Sequence, residues 1–330
     1  MNGLQIPVRQ RAILLWGVVK LFYLTSTIQI TLNLIMETAS IAPPTQTVLT
    51  IDKRDSITFE EFIKEYVEPS KPVILTKAAL QWKAMGEVTP QFIKEKYGHL
   101  KKTIKGVEYT YAQLIDRILV STPENPAPYP FNVNTETYCP EVIRDTKPDL
   151  FYGKIDRINH PLMPRFMMHG TEVYELFMGG NGSTFPLLHI DELYLHNQMT
   201  QLYGSKEFIL FSPDQTKYLY PTPENPKISQ VDVFNPDYEK FPLYKHAKPL
   251  RVTVNQGETL FFATGWWHST QIHEPCISFG RCQLNRANWN LFINDEYKYW
   301  KKRKSIFMAL PILIYGKILG LLMNIQESFK

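Results

Sequence analysis

The chain has 330 residues, 44% of them hydrophobic and 21% charged, with 36 basic against 32 acidic side chains and a formal charge of +4. A chain of this make-up buries a substantial core, which argues against disorder over most of its length, and its intermixed charges give no general case for nucleic-acid binding. Its three cysteines, Cys139, Cys276 and Cys282, form no CxxC pair and are odd in number, which argues against a disulfide framework and suits a reducing cytoplasm.

Residues 1–50 are expected to form an apolar N-terminal segment and linker. Within them "AILLWGVVKLFYLTSTIQITLNLI" (12–35) reads as a membrane anchor, a poor signal peptide or an extension ahead of a start at Met36. Residues 51–124 are expected to form an α/β segment packed on a barrel. Ser56 is placed to cap a helix with apolar positions from Phe59 to Tyr66, followed by a strand at Val73–Thr76. Thr89, Pro90 and Gly98 predict the cap, first position and end of a second helix, and "YTYAQLIDRILVS" predicts a third.

From residue 125 to 292 the texture changes to short β-rich runs separated by Pro, Gly and Asn turns, the pattern of an antiparallel sandwich or barrel. "VNQGETLFFATGWWH" predicts a hairpin turning at Gly257, with its second strand ending at His268. Trp266 and Trp267 are expected to pack the core and support that histidine. Residues 293–330 are expected to form a helical tail, in which "KKRK" (301–304) marks a solvated helix start. The apolar run 306–325 is expected to be an amphipathic helix suited to docking on the domain, on a second copy or on a membrane surface.

The chemistry concentrates in "PLLHIDELYLHNQMTQLYGSKEFILF" (186–211). In an extended chain alternate residues share a face, so His189 and Asp191 converge on one point as metal ligands. Lys206 is the one cation in an otherwise apolar strand, and a buried ammonium requires an anionic partner. His268, distant in sequence, follows two tryptophans where a sheet could return it to the first pair. Two histidines and a carboxylate on one face of a metal leave its other positions open, the triad of non-haem Fe(II) oxygenases. His196 is expected at the surface or supporting the triad from behind.

The region 125–292 resembles the JmjC and cupin-like family of Fe(II)/2-oxoglutarate oxygenases, and "KPVILTKAALQWKA" with "TPQFIKEKYG" resembles the segment preceding the barrel in its cupin-like branch. "NQMTQLYGSKEFILFSPDQTKYLYP" is similar to the asparaginyl-hydroxylase branch, while the 17-residue step from His189 to Lys206 is closer to lysyl-hydroxylase-type relatives. The resemblance implies a mainly β fold, a double-stranded β-helix or jelly roll, with flanking N- and C-terminal helices. It implies His189, Asp191 and His268 as iron ligands, and Lys206 on the distal carboxylate of the cosubstrate 2-oxoglutarate. Asn197, Tyr129 and Asn285 are its further cosubstrate-side matches. Phe185 stands close to where relatives often carry a threonine. The implied activity is hydroxylation of a C–H bond of a protein side chain or small molecule with O2, releasing succinate and CO2. Two alternatives stay open: a metal-binding cupin without 2-oxoglutarate turnover, and a noncatalytic interaction barrel. A homodimer through the C-terminal helix and membrane association through the terminal apolar segments complete the expectations.

Overall fold

The computed structural model of the protein describes residues 51–147, 156–169 and 171–329, and the apolar stretch 12–35 lies outside them. A short strand, β1 (Asp52–Arg54), precedes a helical turn at Phe59–Phe62 that widens into a π-turn at Ile63–Val67. Thr58, not Ser56, caps this turn. Its hydroxyl accepts from the Glu61 amide while the Glu61 carboxylate accepts from the Thr58 amide, so two otherwise orphaned donors are satisfied reciprocally. β2 (Val73–Leu75) follows, then α1 (Pro90–Tyr97) with Thr89 as its cap and Gly98 at its end. The hairpin of β3 (Lys101–Ile104) and β4 (Val107–Thr110) leads into α2 (Tyr111–Leu119), where Thr110 and Gln113 form a second capping box.

The remaining strands are β5 (Phe131–Asn134), β6 (Tyr174–Gly179), β7 (His196–Tyr203), β8 (Lys206–Phe211), β9 (Leu250–Val254), β10 (Thr259–Phe262), β11 (Trp267–Gln271) and β12 (Cys276–Gln283). They build a mainly β jelly roll of two sheets, a large one ordered β1-β2-β10-β7-β12-β6-β5 and a small one ordered β11-β8-β9. β1 and β2 extend the large sheet beyond β10, and every pairing except β1 with β2 is antiparallel.

The expected hairpin at Gly257 is corrected by this topology. β9 pairs with β8 in the small sheet, whereas β10 lies between β2 and β7 in the large one. Gly257 (φ +87°) and Gly265 (φ +85°) carry the chain from one sheet to the other in conformations that favour glycine. His268 therefore does not end the strand of Thr259–Phe262; it is the second residue of a new strand in the opposite sheet. Trp266 and Trp267 are both buried, their indole N–H groups donating to the Ser70 carbonyl and the Thr216 hydroxyl, each at 2.9 Å.

Two helices close the described chain, α3 (Trp289–Arg303) and α4 (Ile306–Ser328). The basic run ends α3 instead of starting a helix: Lys301, Lys302 and Arg303 occupy its last turn, where cations complement the helix dipole, and Ser305 caps α4. α4 packs closely on α3 because Gly316 and Gly320 face it; a Cβ there would fall 2.4 Å from Ile293 Cδ1 and 2.3 Å from Trp289 Nε1. Instead of being amphipathic, α4 is apolar on both faces. Ala309, Leu313, Leu319 and Met323 are buried, while Phe307, Ile314, Ile318, Leu321 and Ile325 are exposed. By length and composition it is the one helix among the described residues apolar enough to cross a membrane. Buried Arg157 anchors its end, donating to both carboxylate oxygens of Glu327 at 2.7 Å and to Asn324 Oδ1 at 2.6 Å.

On α3, the fully buried Glu296 meets His169 Nε2 and accepts from Trp300 Nε1 at 3.2 Å. Burial raises the Glu296 carboxyl to about 8 and lowers the His169 imidazole, so the pair rests as a neutral acid facing a neutral ring. Between the ordinary carboxylate value and about 8 the folded state holds a proton that the unfolded chain has lost, so stability falls as pH rises through that window. Thermal melts from pH 5 to 9 are expected to show this decline, and Glu296→Gln, which has no proton to lose, is expected to reduce it between pH 5 and about 8.

Candidate metal centre

The extended segment Leu188–Ile190 lies beside β11, and His189 and His268 are direct cross-strand partners. The His189 amide donates to the His268 carbonyl at 3.1 Å and the His268 amide to the His189 carbonyl at 2.8 Å. In a hydrogen-bonded antiparallel pair the two side chains leave the sheet on the same face, and the imidazole centroids lie 4.2 Å apart. Asp191 follows at the mouth of a tight turn, Glu192–Tyr194, in which Leu193 (φ 55°) and Tyr194 (φ 52°) take left-handed conformations. Its Oδ1 sits 3.7 Å from His189 Nε2 and 3.5 Å from His268 Nε2. One ligand atom from each of the three residues lies within 4.8 Å of the others.

The groups around the triad prepare it for a cation. His268 Nδ1 is 3.2 Å from the Trp266 carbonyl, which accepts its proton and leaves the Nε2 lone pair facing inward. Asn197 Nδ2 donates to Asp191 Oδ2 at 2.9 Å, fixing the carboxylate with Oδ1 toward the imidazoles. Phe185 stacks on the His189 ring with centroids 4.8 Å apart. Burial, and next the neighbouring His268, hold the His189 imidazole well below its ordinary value, so it stays in the neutral form that binds metal. Two imidazoles and one carboxylate oxygen gathered on a single face would suit a divalent ion such as Fe(II).

That cavity, of about 200 Å³, is lined by the triad together with Tyr129, Glu175, Phe177, Asn197, Lys206, Phe208, Arg281 and Cys282. Lys206 opens β8 and is 2% exposed. Its ammonium lies 5.4 Å from the Phe177 ring centroid and 6.0 Å from that of Phe208, and it forms no ion pair with any described residue. A buried ammonium without a carboxylate fits an acidic ligand arriving from outside the chain.

Of the residues expected on the cosubstrate side, Asn197 and Tyr129 reach the cavity and Asn285 does not. Asn285 lies past the end of β12, and its Oδ1 accepts from the Ala287 amide at 2.9 Å and faces His196 Nε2 at 3.2 Å. His196 is buried instead of lying at the surface; the Thr264 amide donates to its Nδ1 at 3.0 Å and burial lowers the ring to about 4. Sequence reading missed Glu175, which accepts from Asn132 Nδ2 at 2.7 Å and whose carboxyl burial raises to about 7. Its signal was available: it is the single acid within "YELFMG", the same kind of anomaly that marks Lys206.

A jelly roll that gathers two histidines and a carboxylate beside an unpaired lysine is a cupin-type fold with a candidate metal site. A family model for the cupin-like domain matches residues 101–282, which include the triad and Lys206, and the chain belongs to this cupin-like JmjC family. It is similar to HSPB1-associated protein 1 of Rattus norvegicus, 33% identical over 132 residues, which cover 38% of this chain and 27% of that protein. The lysine-specific demethylase JMJ21 of Arabidopsis thaliana is 24% identical over 261 residues, 74% of this chain and 26% of the relative. Lysine-specific demethylase 8 of Xenopus tropicalis is 25% identical over 234 residues, 66% of this chain and 49% of the relative. The chain thus spans about a quarter of the length of the rat and Arabidopsis proteins.

Because the Lys206 charge is buried without a carboxylate, Lys206→Met is expected to stabilise the ligand-free protein, on the order of 1 kcal/mol. A rise of a few degrees in Tm in calorimetry checks this, and a fall would mean that the ammonium is already satisfied within the fold.

Proposed function

We propose that the protein is an Fe(II)- and 2-oxoglutarate-dependent oxygenase that hydroxylates a C–H bond, with a protein side chain as the favoured substrate class. The observation that carries this reading is the unpaired, buried ammonium of Lys206 in the same cavity as His189, Asp191 and His268. A metal-binding cupin of another kind needs the triad but has no use for a lone interior cation.

In this reading Nε2 of His189, Nε2 of His268 and Oδ1 of Asp191 hold the iron. When bound, iron with 2-oxoglutarate and O2 supplies the oxidising power for C–H hydroxylation, with succinate and CO2 as co-products. The chain's own contribution is placement. Lys206 receives the distal carboxylate of the cosubstrate, Asn197 keeps Asp191 aimed at the imidazoles, and Tyr129, Phe177, Phe185 and Phe208 exclude water from the cosubstrate's side of the cavity. Glu175 and Arg281 place a carboxyl group and a guanidinium in the wall of the same cavity. The two relatives named as lysine-specific demethylases favour a protein substrate here, and demethylation begins with the same hydroxylation step.

With Fe(II), ascorbate and 2-oxoglutarate in air, the protein is expected to release succinate, and a peptide and metabolite panel should raise the rate with its true substrate class. Asp191→Ala is expected to lower release more than about 100-fold. Lys206→Met is expected to keep metal binding and lose release; retention of full turnover in that variant would favour the cupin without 2-oxoglutarate.

The outward residues of α4 at Phe307, Pro311, Ile314, Ile318, Leu321 and Ile325 follow one another at steps of four and three, the period of a seam between paired helices. They support a homodimer through α4. Light scattering is expected to give a dimer mass for the full chain and a monomer mass for Ile318→Glu combined with Leu321→Glu.

A further inference from the structure

The turn that carries Asp191 is gripped from outside the cavity by a second lysine. Lys227 is 7% exposed, and its backbone carbonyl accepts from the Ile190 amide at 2.8 Å. Its ammonium donates to Glu192 Oε2 at 3.0 Å and to Asp295 Oδ2 at 2.7 Å, and lies 4.7 Å from the centroid of the Tyr194 ring. One residue therefore holds the chain on both sides of Asp191, position 190 through its backbone and position 192 through its side chain, and ties both to Asp295 on α3.

The local backbone gives this grip its purpose. Leu193 and Tyr194 both hold positive φ, a conformation that non-glycine residues keep only where their surroundings impose it. Asn288 Nδ2 donates to the Tyr194 carbonyl at 3.0 Å and Asn225 Nδ2 to Glu192 Oε1 at 3.3 Å, while Lys227 ties the turn to Asp295 on α3. Glu192 and Asp295 are bridged by the same cation, so without it two carboxylates would oppose each other across the gap that closes the turn onto α3.

We propose that Lys227 is a positioning residue for the metal centre, presenting Asp191 to the ion and coupling the C-terminal helices to metal affinity. This rests on the reading of His189, Asp191 and His268 as ligands. A carboxylate ligand held in place before the ion arrives loses little freedom on binding, and removal of groups that orient metal ligands typically weakens affinity 10–100-fold.

Mn(II) binding to the metal-stripped full chain, followed by the EPR signal of free Mn(II), tests both the reading and the inference. Wild type is expected to bind one ion and Asp191→Ala to lose it. Lys227→Met, matched in length without the charge, is expected to bind roughly 10–100-fold more weakly with native near-UV circular dichroism, and Lys227→Arg to recover most of the loss. Ile115→Ala, which opens a hole at a fully buried position of α2 and touches nothing on the turn, is expected to lower Tm and leave the Mn(II) affinity unchanged. A folded Lys227→Met that binds as tightly as wild type overturns the inference and leaves the ligand assignment standing, as does an equal weakening in Ile115→Ala. A wild type that binds no Mn(II) overturns the ligand assignment and the inference with it. Should Lys227→Met not fold, Asp295→Asn decides: a several-fold weakening supports the coupling to α3, and an unchanged affinity overturns it.

Discussion

The site depends on one reciprocal backbone pairing, in which His189 and His268 each donate an amide to the other's carbonyl. These residues lie 79 positions apart in sequence, and the pairing places their Cβ atoms side by side without further adjustment. A slip of one residue in either strand would turn one imidazole to the opposite face of the sheet and abolish the cluster. The register is kept by what flanks it. Phe185 lies on the His189 ring, Phe262 packs against the His268 ring with centroids 4.8 Å apart, and Leu188–Ile190 pairs on its other side with Lys227, Ile228 and Ser229. The geometry of the three side chains is a property of strand pairing before it is a property of the side chains themselves.

Much of this was legible in the sequence, for identifiable reasons. The two-residue spacing of His189 and Asp191 has a direct geometric meaning in extended chain, and the lone charge of Lys206 in an apolar strand is an anomaly that burial must explain. The helix cap at Thr89 was readable because capping is local. The errors share a different cause. Ser56 lost to Thr58 because the partner acid stands three residues after the threonine, so the choice turned on a side chain that reaches back. The hairpin at Gly257 was misread because a glycine turn looks the same in sequence whether the chain returns to its own sheet or crosses to the opposite one. Asn285 was placed by register along the last strand, and that strand stops at Gln283. Glu175 and Lys227 went unseen because their partners, Asn132 and Asp295, are remote in sequence.

The two buried lysines show how burial separates structure from chemistry. Lys227 is enclosed by two carboxylates and an aromatic ring, and every charge there is answered from within the chain. Lys206 is buried more deeply and answered only by the faces of Phe177 and Phe208. A fold selected for stability alone would replace the second lysine with an apolar side chain of similar volume. Its place inside the cavity is what the proposed ligand-holding role would account for.

Gly316 and Gly320 let α4 approach α3 so closely that the Trp289 indole reaches the Gly316 carbonyl at 3.0 Å. That contact works as a ratchet. Sliding α4 by one turn would set Ile312 against Ile293 in one direction or Asn324 against the Trp289 ring in the other, where there is no room for it, so rotation and translation of the helix are fixed together. The direction in which Ile318 and Leu321 point is therefore decided on the opposite side of the helix, by two residues that have no side chains at all.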